Sequence, residues 1–508
     1  MKNFNLTRWE RKKELDGLLF FAQSLSDMLF DYTLDTYKVP TLNTNSRASE
    51  CIVFADLVKR GLTNPHALKP PIDEFIFSFR EDPIIKSIFG RKKEQYIKNI
   101  NEKIQTIKYM DELETILNLI TDELSFKYLD EAKKMLVEAV CERPNEKKLI
   151  LSLTQSFLTE LIYSGYSKGY IFYKTNRFFF DDESRPMINS PHEIERYMDG
   201  FDLNEKKFDL IIKADECFKY FVTPMSNPKP RTERTIDRQF FEDKNEKSIF
   251  IELKDITALD AQSARNFAEI QMSNWASFLK YSVHKSDFSW DSDMLVYEAT
   301  SNYSLTFGQR ANAVHMRPEK EKEKLSAEID KIMRIIGNDR LNNRSLGLII
   351  GALNLHSEAV NAATEENQLF TFWSSIEGLL SPPGDVTRIN HIVQSIEPFL
   401  IFDHISKLIL DMQNNLRNCG RPKIFELIES IDEGINTFEK LAALISLEKN
   451  KKILESIYPL IDDNVLLKNR LFELSKKLNS ARSIEKTIMD HKQRVEWHVN
   501  RIYRMGTI

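Results

Sequence analysis

A chain of 508 residues, 42% hydrophobic and 29% charged, can bury a substantial core over roughly two to four domains. Its net charge of −5 excludes a wholesale cationic nucleic-acid binder and leaves room only for a local basic groove. Abundant Phe (33) and scarce Gly (15) favour helices and packed aromatic cores. Cys51, Cys141, Cys217 and Cys419 are scattered singly, which supports neither a zinc site nor a disulfide framework. The start Met1–Arg11 is too polar for a signal peptide, and the longest apolar runs, such as Leu346–Leu355, are too short and interrupted to cross a bilayer. The expected compartment is therefore the cytoplasm, with no membrane partner.

In chain order, Trp9–Tyr32 reads as a helix with Leu15, Leu18, Leu19, Ala22 and Leu25 on one side. A polar break at Tyr37–Asn45 precedes a helix over Ser49–Arg60, and Asn64–Pro71 is a loop. Arg91–Val140 contains amphipathic helices, and Lys147–Tyr163 another, so residues 1–165 form an expected N-terminal helical domain. The aromatic runs Tyr170–Tyr173 and Arg177–Phe180 have strand composition. Phe208–Ala214, Ser248–Leu253 and Asp293–Tyr297 are predicted strands, with Pro224–Lys247 a loop between the first two. Thr257–Arg265 opens a helix whose stripe is Ala264, Phe267, Ala268, Met272 and Trp275. Residues 166–305 are thus expected to be an α+β middle domain.

Met316–Lys324, with its Pro and alternating charges, marks the boundary to a C-terminal helical domain, 318–508. Its helices are predicted near 325–336, 344–361, 365–380, 386–395, 400–416, 423–431, 437–448, 451–458, 464–478 and 480–505. The fold class is mainly α with a smaller α+β middle domain and a C-terminal up-and-down helical bundle. No fixed-period repeat joins the helices.

Within the helix Glu365–Leu380, residues Leu369, Phe370, Phe372, Trp373, Ile376, Leu379 and Leu380 share one broad face, and Ser381–Gly384 stops it. Glu377 points with that arc. A carboxylate there needs a cation or several donors, either as a structural pair or to orient a functional arginine. The final helix, Ser483–Met505, has the stripe Ile484, Ile488, Val495, Val499 and Ile502, edged by the row His491, Arg494, His498 and Arg501. That row reads either as a solvated helix edge or as a set that pairs with Glu377 and binds a phosphodiester. Trp497 and Tyr503 lie off the stripe and are candidate interface anchors.

These two helices, Ala362–Leu380 and Val495–Met505, resemble the HEPN superfamily, and within it the large bacterial proteins similar to those of phage defence. The resemblance covers roughly residues 340–508, and the stretches Leu161–Ser167 and Ala258–Asp260 add to it. It implies an up-and-down helical bundle, and in many members a metal-independent endoribonuclease that acts as a homodimer on RNA. Its trigger would be a phage protein or an antitoxin. The signature is an Arg followed, after about four to six residues, by a His: the first stabilises charge on the phosphate, the second helps the 2′-OH attack. Arg504 stands near the place of the motif arginine, but the sequence reads Met505-Gly506-Thr507-Ile508 after it, with no histidine. Arg494 and His498, with three residues between them, are one residue short of the pattern. The expectation is an effector impaired or truncated at this motif; the alternative is a non-catalytic HEPN-like protein for dimerisation and RNA or partner contact. Candidate catalytic residues are Arg504, His498, Arg494 and Glu377, and candidate RNA-binding residues are Arg501 and His491.

No phosphate-binding glycine loop, dinucleotide fingerprint, HExxH or GxSxG is present, so no cofactor is expected. Asp181–Glu183 and Asp462–Asn464 read as turns or helix starts rather than metal sites, and no metal is expected. His356, His391 and His404 are lone histidines with core or surface explanations.

Overall fold

The computed structural model describes residues 4–104, 109–181, 184–231, 235–242, 248–284, 288–298, 304–307, 322–337, 341–362, 364–380 and 388–507. The boundary stretch around 316–321 and the stop at 381–384 lie outside the described residues, as do parts of the 224–247 loop and Asp182–Glu183. In chain order the N-terminal helices are α1 (Asp16–Leu29), α2 (Thr44–Lys59), α3 (Lys69–Glu81), α4 (Pro83–Phe89), α5 (Lys92–Lys103), α6 (Met110–Glu142), α7 (Lys147–Tyr163), α8 (Lys168–Asn176) and α9 (Glu193–Met198). The middle holds β1 (Lys206–Asp215), α10 (Thr235–Glu242), β2 (Ser248–Ala258), α11 (Ala261–Val283), β3 (Trp290–Glu298) and β4 (Ser304–Phe307). There follow α12 (Lys322–Ile336), α13 (Asn343–Val360), α14 (Glu365–Leu379), α15 (Arg388–Phe402), α16 (His404–Asn418), α17 (Pro422–Glu429), α18 (Thr437–Ser446), α19 (Lys451–Ile457), α20 (Val465–Leu478) and α21 (Ala481–Thr507). The chain is mainly helical with one small antiparallel sheet, as expected.

Two compact units divide these elements. The first joins residues 1–164 and 171–202 to 386–508; the second comprises 165–170 and 203–385. The helices that carry the family resemblance, α14 and α21, therefore fall in different units, and the stretch 318–508 is divided at 385/386.

In the first unit α1 is buried from Gly17 to Met28 and packs against α6, α7 and α20, so it is buried all round rather than along one stripe, with Gln23, Ser24, Ser26 and Asp27 buried among its apolar residues. Leu113, Leu117, Ile120, Leu124, Tyr128, Ala132, Leu136 and Ala139 form the buried seam of α6 at three- and four-residue steps. Polar contacts tie the C-terminal helices to α1: Gln23 accepts from the Leu466 amide (3.0 Å), and Arg470 donates to the buried Asp27 carboxylate (2.7 Å). A second core, from Leu408 through Leu478, is built by α16–α20. The aromatic runs of 170–180 are helical, not extended: α8 and a π turn at Arg177–Asp181. Tertiary packing overrides their strand propensity, because Phe179 and Phe180 stack on Trp9 and Phe179 meets Tyr197. The predicted break before residue 400 is also absent. α15 runs through Pro398 to Phe402, despite the hydrogen bond that proline removes.

The second unit has the sheet order β2-β1-β3-β4, all antiparallel. Strand alternation sends Leu210, Ile212, Ile251, Met294 and Val296 to one face, where Ala264, Ala268, Met272 and Ala276 of α11 cover them. Ile211, Phe250, Leu295 and Tyr297 meet Phe240 of α10 on the other. Asp260 caps α11 through the Ser263 amide (2.9 Å) and also accepts from the Ser167 amide (2.8 Å), which explains the unusual burial of that carboxylate. α13 and α14 form an antiparallel pair. The arc predicted to be buried on α14 is not: Phe370 and Leu379 are 46% and 47% exposed. Gln368 and Ser375 are buried instead, donating to the Ala359 and Ala352 carbonyls of α13 at 3.1 and 2.9 Å. Hydrogen bonding to the neighbouring helix thus joins apolar packing at the seam, where Leu369, Phe372, Trp373 and Ile376 are half-buried and Phe372 packs on His356 of α13.

Candidate functional site on the last helix

The 27-residue helix α21 packs within its unit against α3, α15, α16 and α20. Val499 is the buried centre of its apolar stripe. Next to it Arg501 and Arg504 are also buried, 8% and 5% exposed, where buried guanidinium groups need counter-charges. The counter-charges come from the start of the chain. Arg501 donates to Glu74 of α3 (2.7 Å) and reaches Glu50 of α2 (3.4 Å). Arg504 donates to Glu50 (3.2 Å) and lies over the Phe54 ring. Arg47 closes the chain of charges on Glu74 at 3.0 Å.

Five groups thus alternate in sign from Arg47 to Arg504. Burial works against ionisation of Glu74, but Arg47 and Arg501 outweigh it and hold its carboxyl below the usual range. Burial also works against the Arg501 charge, yet Glu74 and Glu50 raise its pKa. Arg504 is lowered, by burial first, with Glu50 opposing. Burial and the adjacent Glu50 keep the Cys51 thiol protonated, so it is a packing group rather than a nucleophile.

Arg501 therefore takes its carboxylates from α2 and α3, where the sequence pointed to Glu377. Glu377, half-buried on α14, accepts a hydrogen bond from Trp373 Nε1 four residues earlier (2.9 Å). Trp497 is likewise no exposed anchor: its ring packs on Phe77 of α3 at 5.2 Å. At Trp497, one of the two expected anchors, α21 docks on α3 of its own chain.

The other half of the predicted row faces differently. Arg494 is exposed and, among the described residues, donates only to the backbone carbonyl of Asp490, at 3.3 Å. His498 is exposed at the helix edge; the protein around it, then Arg501, lower its pKa, so its imidazole is neutral at pH 7. His491 stacks face to face on His404 of α16, with ring centroids 3.6 Å apart and an interplanar angle of 4°. Burial, then the neighbouring His491 and three cations, push the His404 pKa down to about 4, and His491 is lowered by burial too. Two imidazoles so close cannot both carry charge.

The structure thus places Arg501 and Arg504 together in a buried clamp, His491 and Arg494 at a separate corner, and His498 between them. Glu50, Glu74 and Arg47 were not singled out from the sequence, and His404 was read there only as a lone histidine. Partners 454 residues apart leave no local spacing to read. Among the described residues no His/Cys/Asp/Glu group could hold a metal ion. No helix is long and apolar enough to cross a membrane, again among the described residues. In comparisons with known proteins, no family model, curated protein or solved structure matches this chain.

Proposed function

We propose that this protein is an RNA-directed effector of HEPN type, held in a silent state with its motif arginine sequestered. The observation that carries the reading is the clamp. Arg504, the residue at the place of the motif arginine, is buried against Glu50, and its neighbour Arg501 is held by Glu74. A guanidinium that is to neutralise a scissile phosphate must be able to reach it, and here carboxylates of α2 and α3 occupy the phosphate's place. Exposed Arg494 and His498 on the same helix would make first contact with the backbone of RNA, and His498 is a neutral base at working pH. On this reading a trigger, a phage protein or an antitoxin by the family resemblance, acts by loosening α21 from α2 and α3, and two copies then meet as a homodimer.

A second reading, a non-catalytic HEPN-like binding or regulatory protein, is favoured by one specific feature. Arg501 and Arg504 are already satisfied within the chain, as structural cations are.

The test is binding and cleavage of a structured RNA in EDTA by the wild type, Glu50→Gln, Arg504→Ala and His498→Ala. The effector reading expects weak wild-type cleavage, a gain on Glu50→Gln, and loss in the other two variants. RNA binding without cleavage in every variant selects the second reading. Strong wild-type cleavage that survives His498→Ala overturns the site assignment.

A further inference from the structure

Among the described residues, Lys492, Arg501 and Arg504 of α21 pair with carboxylates and Arg494 does not. Lys492 pairs with Glu397 of α15 at 2.6 Å, and Arg501 and Arg504 have Glu74 and Glu50. At the corner where α16, α20 and α21 pack together, Lys407, Lys477 and Arg494 converge on the His404–His491 stack. Among the described residues none of these three forms an ion pair with a carboxylate. The carboxylates that act on Lys477 are Glu473 and Asp490; Glu473 is already paired with Lys148 at 3.2 Å, and Asp490 is exposed. Asp403, at the head of α16, is exposed and makes no capping hydrogen bond with its side chain.

Like charges gathered without counter-charges are costly, and proteins keep them where an anion completes the set. The neighbours bear the cost visibly: burial, then Arg494, depress Lys477, and burial, then His491, Arg494, Lys477 and Lys407, depress His404. Geometry adds one donor of the right kind. The His404 side chain sits in a residue only 4% exposed, yet among the described residues its ring nitrogens make no hydrogen bond. On its partner ring, burial lowers the His491 pKa against the nearby Leu400 carbonyl, which raises it. The neutral His404 ring therefore has an N–H to offer. His404 is also the first residue of the 15-residue α16, where the positive end of the helix dipole adds to the field.

We propose that the corner formed by His404 and Lys407 of α16, Lys477 of α20 and Arg494 of α21 binds a phosphate group. Arg494 and the two lysines supply charge, and His404 supplies an oriented N–H. The proposal deepens the RNA reading by giving the polymer a phosphate subsite away from the Glu50–Glu74 clamp, and it rests on that reading only for the identity of the polymer. Phosphate could equally arrive as a free nucleotide or inorganic anion, so the experiment separates these sources.

The full chain is titrated calorimetrically with inorganic pyrophosphate, and by fluorescence anisotropy with a single-stranded RNA bearing or lacking a 5′-phosphate. The variants are Lys407→Gln/Arg494→Gln, both at exposed positions, and His404→Phe, which keeps a flat ring for stacking but has no N–H. Circular dichroism and thermal melting establish that each folds. The expected result is saturable pyrophosphate binding, weakened about tenfold or more in the double variant and less in His404→Phe. RNA binding that falls in parallel upholds both the subsite and the RNA reading. Pyrophosphate binding that depends on these residues, with no RNA binding, upholds the site and overturns the RNA reading. RNA binding unchanged in the variants, with no pyrophosphate binding, overturns the site and leaves the RNA reading standing. Absence of both overturns both.

Discussion

Replacing Glu74 with Ala is the sharpest way to probe how α21 is held. Glu74 is 3% exposed and is the only carboxylate shown here to bond both Arg47 and Arg501, at 3.0 and 2.7 Å. Removing it leaves one buried guanidinium without its main partner and weakens the pairing of a second. Breaking a buried pair in this way typically costs about 3–5 kcal/mol, far more than the pair is worth against a hydrophobic replacement. Glu50 still reaches Arg501 at 3.4 Å, which places the expected loss near the lower end, about 3 kcal/mol. Because the lost contacts join α21 to α2 and α3, the effect should be local before it is global. Amide hydrogen exchange of Val495–Tyr503 should accelerate on the order of a hundredfold, while the β1–β3 amides of the other unit keep their rates. The pH dependence has a definite sign. Glu74 has a folded pKa below its ordinary 4.5, so its contribution is complete above 4.5 and is lost as pH falls through the folded value. The double variant Glu74→Leu/Arg501→Met, which removes charge from both sides, should recover part of the loss. Unchanged exchange in α21 of Glu74→Ala, or a stability change under about 1 kcal/mol, would refute the clamp.

The stacked imidazoles predict a second acid effect. His404 binds a proton at about 4 when folded and at its ordinary 6.5 when unfolded, so the penalty is absent above 6.5 and grows as pH falls to 4. It should reach about 2–3 kcal/mol, and His404→Phe should flatten the fall of the urea midpoint across this window; an identical slope would count against it. Arg470→Ala strands Asp27, which is fully buried and bonded to that guanidinium at 2.7 Å, and should lower stability by about 3–5 kcal/mol in denaturant unfolding. A loss under about 1 kcal/mol would mean that water or another donor reaches Asp27. Burial lowers the Lys147 amine to about 8, while its Nζ donates to the Asp16 carbonyl at 2.8 Å. Its folded form gives up the proton before the unfolded one, so this destabilisation is present below 8 and fades as pH rises toward 10.5. NMR titration of isotopically dimethylated lysines should show one midpoint near 8, and a lone cluster near 10.5 would contradict it.

Local signals in the sequence carried much of the architecture. Period-two runs marked β1, β2 and β3, and the helical stripes marked nearly every helix from α12 to α21, because each element must bury an apolar face whatever its partner. The row His491, Arg494, His498 and Arg501 was legible for the same reason: one helix fixes which side chains are neighbours. What each of those residues meets was not legible. Gln368 and Ser375 joined the apolar arc at the α13–α14 seam, and Phe179 and Phe180 were drawn into a helical turn by Trp9 and Tyr197. Arg501 and Arg504 found Glu74 and Glu50, and His491 found His404, across separations that no sequence window spans. A helix period depends on the backbone alone, so composition determines it locally. The partner of a buried charge depends on which distant helices come within about 3 Å, and only the folded chain decides that.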